Sequence, residues 1–164
     1  MKTKTITLYD YFELSPKAQE KALSDWNEHN DDPFMQSHMI NLLKERLEDR
    51  GIEYDVDSID VRYSLSYCQG DGFMFIGSLE WRGETITITH NNAHYYHKYT
   101  ASFSTGDLTS EDADAFKAMY EEICNEMERI GYRHIEEITS EESFVEACEA
   151  NGYTFREDGT MENA

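Results

Sequence analysis

The sequence has little positive charge, only two prolines and three cysteines, and no long hydrophobic run. Its 14 basic residues face 34 acidic ones, which gives a formal net charge of -20 at pH 7. A field of this sign repels DNA, RNA and anionic membranes, and it attracts basic surfaces or cations. The composition therefore argues against direct binding to nucleic acid or to a membrane surface, and it favours a basic protein partner.

The cysteine content argues against a disulfide-stabilised fold. Cys68, Cys124 and Cys148 lie far apart, without Cys-x-x-Cys spacing. An odd and sparse set is typical of reduced thiols in a cytosolic protein. The first residues contain no apolar stretch of the kind found in signal peptides, and no segment approaches the length that spans a membrane. We therefore expect a cytoplasmic protein.

What the chain does contain is enough apolar material for a core. Aromatic residues make up 13% of the 164 residues, and a chain of this length buries roughly 70% of its unfolded surface. We predict one α+β domain, 1–164, with a helical segment at 15–50, a β-meander at 59–103 and an acidic helical segment at 110–151.

The meander is predicted from four β-rich runs that are separated by short turns containing Gly or Asn. These runs are 59–67, 73–81, 84–90 and 94–103. Thr85, Thr87 and Thr89 alternate with isoleucines, which predicts one face in contact with water. The pattern indicates an antiparallel sheet of four or more strands with helices packed on one face. Short strands at 4–8 and 153–156 are also predicted.

Capping residues mark the predicted helices. Ser15-Pro16 and Asp32-Pro33 are typical helix starts, and Gly51 is a typical helix end. The segments 109–112 and 139–142 resemble capping boxes, and each would open a helix of the acidic segment.

Acidic residues are concentrated in the last third of the chain. Residues 110–164 contain 16 acidic and 4 basic residues, a net of -12. Rows of carboxylates on helices can imitate the phosphates of DNA, which carries about one charge per 1.7 Å of its axis. The alternative is a solvated surface that only keeps the protein soluble. The candidate partner-binding residues are Glu111, Asp114, Glu121, Glu122, Glu128, Glu136, Glu137, Glu141, Glu142, Glu146 and Glu149.

Histidines offer a second hypothesis, a small metal-binding protein or enzyme. His90 and His94 could approach each other across the mouth of a hairpin, with nearby carboxylates as further ligands. A metal site needs three or four convergent ligands, however, and His94 and His97 point to opposite faces of a strand. We therefore expect no metal, no cofactor and no catalytic residue.

The central turn, Gln69 to Gly72, is rich in glycine but is not predicted to bind phosphate. No Lys-Ser or Lys-Thr follows it, and the next element is a strand rather than a helix. A hairpin turn explains the glycines. A third hypothesis is an interaction module that uses the sheet face or this hairpin tip, with Tyr95, Tyr96 and Tyr99 as a recognition patch and with binding that is insensitive to salt.

Three segments, 13–22, 67–72 and 150–159, together resemble a loose group of small acidic bacteriophage and prophage proteins of uncharacterised role. The resemblance implies a context in which such proteins inhibit host enzymes, including restriction and CRISPR nucleases, and it supplies no catalytic residues. We therefore expect a non-enzymatic inhibitor that binds a basic, nucleic-acid-binding surface of a host defence enzyme through its acidic helices.

Overall fold

The computed structural model describes residues 1–162. The chain divides into two compact units, one formed by residues 33–133 and the other by residues 1–32 together with the chain from 134 onwards. Each unit has its own buried core. The single domain of 1–164 expected from the sequence stays a prediction.

The predicted α+β class is confirmed. In chain order, the described elements are α1 (Pro16–Glu28), α2 (Met35–Asp49), β1 (Asp60–Ser64), β2 (Gly72–Trp81), β3 (Glu84–His90), β4 (Ala101–Ser104), α3 (Ser110–Ile138) and α4 (Glu141–Asn151). The four strands form one antiparallel sheet in the order β1-β2-β3-β4, which is the predicted meander.

The unit of residues 33–133 is organised around β2. The first half of this strand pairs with β1, from Ser64 opposite Gly72 to Asp60 opposite Ile76. Its second half pairs with β3, from Gly77 opposite Ile88 to Trp81 opposite Glu84. Gly77, at the change of partner, has a φ of +148°, and a Cβ there would lie 2.6 Å from Ile59 Cδ1. This position therefore requires glycine.

A buried tyrosine completes the hydrogen bonding of β2. Tyr120 of α3 is fully buried, and its hydroxyl donates to the Phe75 carbonyl at 2.8 Å. The Phe75 amide donates back to the same hydroxyl at 3.0 Å. Because buried backbone groups need partners, this side chain fastens α3 to the middle of the sheet.

The core of this unit lies between the sheet and the helices α2 and α3. Ile86 and Ile88 of β3 are buried, whereas Thr85, Thr87 and Thr89 are exposed. This result confirms the predicted wet face. The helices contribute apolar stripes at helical spacing. Their fully buried members include Met39, Leu43, Leu47, Phe116, Ile123 and Met127.

The second unit combines α1, α4, the end of α3 and both ends of the chain. Ser15 caps α1 as predicted, since its hydroxyl accepts from the Ala18 amide at 3.2 Å. Gly152 ends α4 in the left-handed conformation, with a φ of +66°. The buried core residues of this unit are Tyr11, Leu14, Ala18, Ala22, Phe144, Cys148 and Phe155.

Two predicted terminal strands are wrong. The segment 4–8 has no strand structure, and Ile6 and Leu8 are exposed. The segment 153–156 forms only isolated bridges, in which Phe155 pairs with Tyr9 and with Met161. An alternating pattern indicates which face of a strand can be buried, but it does not supply a neighbouring strand to pair with.

The strands of the meander are shorter than predicted at two places. β1 ends at Ser64 rather than at Tyr67, which has a positive φ of 59°. The predicted strand at 94–103 is reduced to Ala101–Ser104. Before it, the His97 side chain accepts from the Tyr99 amide and Thr100 Oγ1 accepts from the His97 amide. These side-chain bonds favour a 3-10 turn over a strand.

Two helix starts are displaced from their predicted positions. α2 begins at Met35 rather than at Pro33. α4 is capped by Ser140, which accepts from the Ser143 amide at 3.2 Å, rather than by Thr139. The Thr109 hydroxyl accepts from the Asp112 amide at 3.1 Å, as the first capping box predicts. Among the described residues, none of the helices is both long and apolar enough for a membrane crossing.

Candidate functional site

The eleven predicted partner-binding acids are divided between the two units. Five lie in the unit of residues 33–133, namely Glu111, Asp114, Glu121, Glu122 and Glu128. Six lie in the other unit, at the end of α3 and along α4. We call these six the acidic corner: Glu136, Glu137, Glu141, Glu142, Glu146 and Glu149. All six are exposed.

Two of the five acids of the first set, Glu111 and Glu122, have local structural explanations, and the other three are widely spaced along α3. Glu111 lies in the first turn of α3, where the helix dipole favours a carboxylate. Glu122 forms an ion pair with Arg50 at 3.2 Å. Asp114, Glu121 and Glu128 recur every seven residues, which separates neighbours by about 10 Å along the helix axis. They therefore do not form a dense row.

The acidic corner is held in place by polar side chains of its own unit. Asn27 and Asn30 donate to the carbonyls of Thr139 and Ile138 at 3.0 and 2.7 Å. His134 Nε2 lies 2.8 Å from Asp32 Oδ2. The two asparagine side chains satisfy carbonyls at the end of α3, where a helix leaves such groups without intrahelical partners. Together with the His134–Asp32 contact, they fix the end of α3 against the last turn of α1 and the chain that follows it.

Three hydroxyl groups shape the turn between α3 and α4. Ser140 and Ser143 both donate to the Glu137 carbonyl at 2.8 Å. Thr139 donates to the Ile135 carbonyl at 2.7 Å. The glutamates on either side of the turn are therefore carried by a hydrogen-bonded backbone rather than by a loose loop.

Charge within the corner is not balanced by cations. In the described chain, the last turns of α3 and α4 contain no basic side chain, and none of the six glutamates forms an ion pair. The Tyr11 hydroxyl is a polar neighbour of Glu141. The pKa of Tyr11 is raised, first by burial and then by the carboxylate of Glu141.

The histidines do not converge on a metal site. His90 is half-buried, and its Nε2 lies 3.0 Å from the Tyr95 carbonyl oxygen. His94 is exposed and stacks edge-on against Tyr95, with ring centroids 4.8 Å apart. Within residues 1–162, no group of three or more His, Cys, Asp or Glu side chains could hold a metal ion. The geometry thus gives the metal hypothesis no support.

A cleft that the sequence did not reveal lies in the unit of residues 33–133. Its volume is about 410 Å³, within the size range of small-molecule sites. Residues from the β1–β2 turn, the loop before β4 and the middle of α3 surround it. The lining residues are Gln69, Gly70, Asp71, Phe73, Tyr95, His97, Lys98, Tyr99, Cys124, Asn125 and Glu128.

One wall of the cleft is fixed by Asp71. Its carboxylate accepts from the amides of Ser66 and Cys68 at 2.9 and 3.3 Å and from the Ser64 hydroxyl at 3.2 Å. It also accepts from the Cys68 thiol and from the Tyr132 hydroxyl. Desolvation alone would raise the pKa of Asp71, but the hydrogen bonds, led by that of Tyr132, hold the pKa well below its usual range.

The two cysteines near the cleft are not activated as nucleophiles. The hydrogen bond to Asp71, followed by desolvation, raises the pKa of the exposed Cys68 thiol. Burial raises the pKa of Cys124 far above its ordinary value. Because the thiolate is the reactive form, neither position favours covalent chemistry at neutral pH.

Sequence patterns could locate only part of this cleft. The turn at 69–72 was visible as a glycine-rich hairpin, and Tyr95 and Tyr99 were visible as an aromatic patch. Asn125 and Tyr132 had no local signal, because their partners, Lys98 and Asp71, are distant in sequence. The Tyr132–Asp71 contact joins residues that are 61 positions apart.

Comparison of the chain with protein-family models, with curated proteins and with solved structures finds no match.

Proposed function

We propose that this protein is a non-enzymatic inhibitor that binds the nucleic-acid-binding surface of a basic partner through the acidic corner. The resemblance to small acidic phage proteins favours a host defence enzyme as the partner, either a CRISPR or a restriction nuclease, met in the host cytoplasm. Binding would block the surface on which that enzyme holds DNA or RNA.

The observation that carries this proposal is the position of three glutamates relative to the helix dipoles. Glu136 and Glu137 lie in the last turn of α3, and Glu149 lies in the last turn of α4. The C-terminus of a helix carries partial negative charge, so carboxylates there are unfavourable. These residues therefore lower the stability of the helices that carry them. A binding role accounts for charges that folding alone does not favour.

The spacing of the acids along α4 also supports the proposal. Glu142, Glu146 and Glu149 follow one another at intervals of four and three residues, and therefore share one helix face. Along the helix axis these intervals correspond to about 6 and 4.5 Å. One strand of DNA presents a phosphate about every 3.4 Å. The glutamate row of α4 is spaced more like the phosphates of DNA than the α3 row of Asp114, Glu121 and Glu128, which are seven residues apart.

Charge reversal tests the proposal with a matched control. The variant E136K/E137K/E146K/E149K reverses four charges of the corner and leaves Glu141 and Glu142, which favour the start of α4. The control E45K/E53K/D57K/D107K reverses four exposed acids of the other unit. Each variant changes the formal net charge from -20 to -12. Circular dichroism melting verifies that both are folded.

The measurement is capture of partners from host lysate at ionic strengths of about 0.1 and 1 M, where the Debye length falls from about 10 to 3 Å. Captured nucleases are then purified and assayed for inhibition. We expect inhibition by the wild type and the control variant, but not by the corner variant. If both variants lose inhibition equally, the effect comes from net charge alone. If both retain it equally, the acidic corner is not the binding surface.

A further inference from the structure

The cleft in the unit of residues 33–133 contains one localised cation. The Lys98 ammonium donates to Asn125 Oδ1 at 2.9 Å and lies 5.0 Å from the centroid of the Tyr99 ring. Lysine has three N–H donors, so the amide and the ring leave donor capacity for a ligand. Among the described residues, no carboxylate forms an ion pair with Lys98.

The acidic side chains of the cleft are not equivalent to each other. Asp71 already accepts five hydrogen bonds from its own loop, from Ser64 and from Tyr132, so its oxygens are occupied. Glu128 lines the cleft without such a network. The charged groups that remain for a ligand are therefore one ammonium and one carboxylate.

Aromatic rings form the apolar part of the cleft, supplied by Phe73, Tyr95 and Tyr99. Tyr95 packs directly on Gly70, where a Cβ would lie only 2.5 Å from Tyr95 Cε1. Gly70 has a φ of +91°, so the absence of a side chain there serves both the turn and the ring contact. Phe73 is buried, whereas the exposed rings of Tyr95, held in this way, and of Tyr99 offer flat surfaces on which a planar group can stack.

We propose that this cleft binds a small aromatic anion, that is, a planar ring carrying a phosphate or carboxylate group. The Lys98 ammonium binds the oxyanion, the tyrosine rings hold the planar group, and Glu128 accepts a hydrogen bond from an N–H or hydroxyl of the ligand. Charges beyond about 8 Å are screened at physiological ionic strength, so the field at the ligand is set mainly by Lys98, Asp71 and Glu128 rather than by the net charge of -20. The site is additional to the acidic corner, and it requires no protein partner.

Binding of defined probes to the full chain tests the proposal. The ring anions are adenosine monophosphate and indole-3-acetate. Adenosine lacks the anion, inorganic phosphate lacks the ring, and benzamidine carries the opposite charge. Ligand-observed NMR and calorimetry measure the affinities. We expect at least one ring anion to bind about tenfold or more tightly than each of the three other probes. Adenosine and benzamidine lose the charge-assisted hydrogen bond to Lys98, and inorganic phosphate loses the ring contacts.

Variants separate a specific contact from general electrostatics. K98Q should weaken binding of the ring anion about tenfold or more, whereas K98R should retain most of it. K117Q, at an exposed position on α3 outside the cleft, changes the net charge equally and should have no effect. The proposal is overturned if adenosine or benzamidine binds as tightly as the ring anions, if K98Q and K117Q behave alike, or if no ring anion binds at about 1 mM.

Discussion

Asp71 shows how one side chain can hold a loop that has little other structure. All of its hydrogen-bond partners are donors: two amides, two side chains of its own segment and the Tyr132 hydroxyl. The turn it organises links β1 to β2 and forms a wall of the cleft. Replacement by asparagine keeps the shape of the side chain but puts an NH₂ group where an acceptor is required.

We therefore expect Asp71→Asn to lower the free energy of unfolding by about 1–2 kcal/mol, measured by urea denaturation. The pH dependence has a definite sign. The pKa of Asp71 is lowered in the folded state, so its contribution is fully present above about pH 5 and is lost progressively as the pH falls through the ordinary aspartate pKa towards the lowered one. The difference in free energy of unfolding between wild type and Asp71→Asn should thus shrink from pH 6 towards pH 2. Most of the difference should be lost over this range.

Wild type and Asp71→Asn must be measured side by side, because acid also reduces the repulsion among the other carboxylates. That effect is common to both chains and cancels in the difference. A difference that stays constant with pH would show that the folded state does not favour the ionised form of Asp71, and would contradict its lowered pKa. Tyr132→Phe, which removes a single donor, should have a smaller effect than Asp71→Asn.

Tyr120 provides a second test at the level of one side chain. Its hydroxyl is the partner of both the amide and the carbonyl of Phe75, and all of these groups are buried. Tyr120→Phe should lower the free energy of unfolding by about 1–3 kcal/mol, because the two backbone groups lose their partner. Tyr99→Phe, at an exposed ring, should change it by less than about 0.5 kcal/mol. Similar losses in both variants would contradict this role of Tyr120.

Among the elements, the regular ones were predictable and the irregular ones were not. The isoleucines and threonines of β3 alternate strictly, so the sequence alone predicts which face is buried. Ser15 predicts the start of α1 because its hydroxyl acts within the same turn. The segment 94–103 misled the prediction because His97 and Thr100 bond to the local backbone, a competition that a periodicity pattern does not reveal.

The acidic corner was partly predictable from the sequence, whereas the cleft was not. Acidic residues can be counted in a sequence, so all six glutamates of the corner were among the predicted residues. Their arrangement around a turn depends on Ser140, Ser143 and Asn27, whose contacts appear only after folding. The cleft joins three segments that are distant in sequence, and no local pattern records that they meet.

Removing glutamate charge should change the stability of the protein in opposite directions at the C-terminus of α3 and at the N-terminus of α4. Glu136→Gln with Glu137→Gln should raise the stability of the protein by about 0.3–1 kcal/mol per residue at low salt, because it removes charge from the C-terminus of α3. Glu141→Gln with Glu142→Gln should lower it by a similar amount, because it removes charge from the N-terminus of α4.

Thermal melting at about 0.01 and 1 M salt measures both effects, which should diminish at the higher concentration. Destabilisation by the Glu136 and Glu137 substitutions would remove the main support for a binding role, since those acids would then serve the fold. If the Glu136 and Glu137 substitutions stabilise the protein and also abolish its inhibition of the partner, these two glutamates lower stability in order to bind.

At the level of the whole molecule, the two units differ in charge density. The unit of residues 33–133 contains 18 acidic and 9 basic residues, whereas the remaining 63 residues contain 16 and 5. Their formal charges are thus -9 and -11, and the smaller unit has the larger charge. Self-repulsion of this kind opposes the compact state and is weakened by salt.

Each unit contains one tryptophan, which makes this difference measurable. Trp26 belongs to the smaller unit and Trp81 to the unit of residues 33–133. In the variants Trp81→Phe and Trp26→Phe, the remaining tryptophan reports the unfolding of its own unit. We expect added salt to raise the fluorescence midpoint of Trp26 more than that of Trp81. Midpoints that coincide at every salt concentration would instead indicate one cooperative domain, as the sequence predicts.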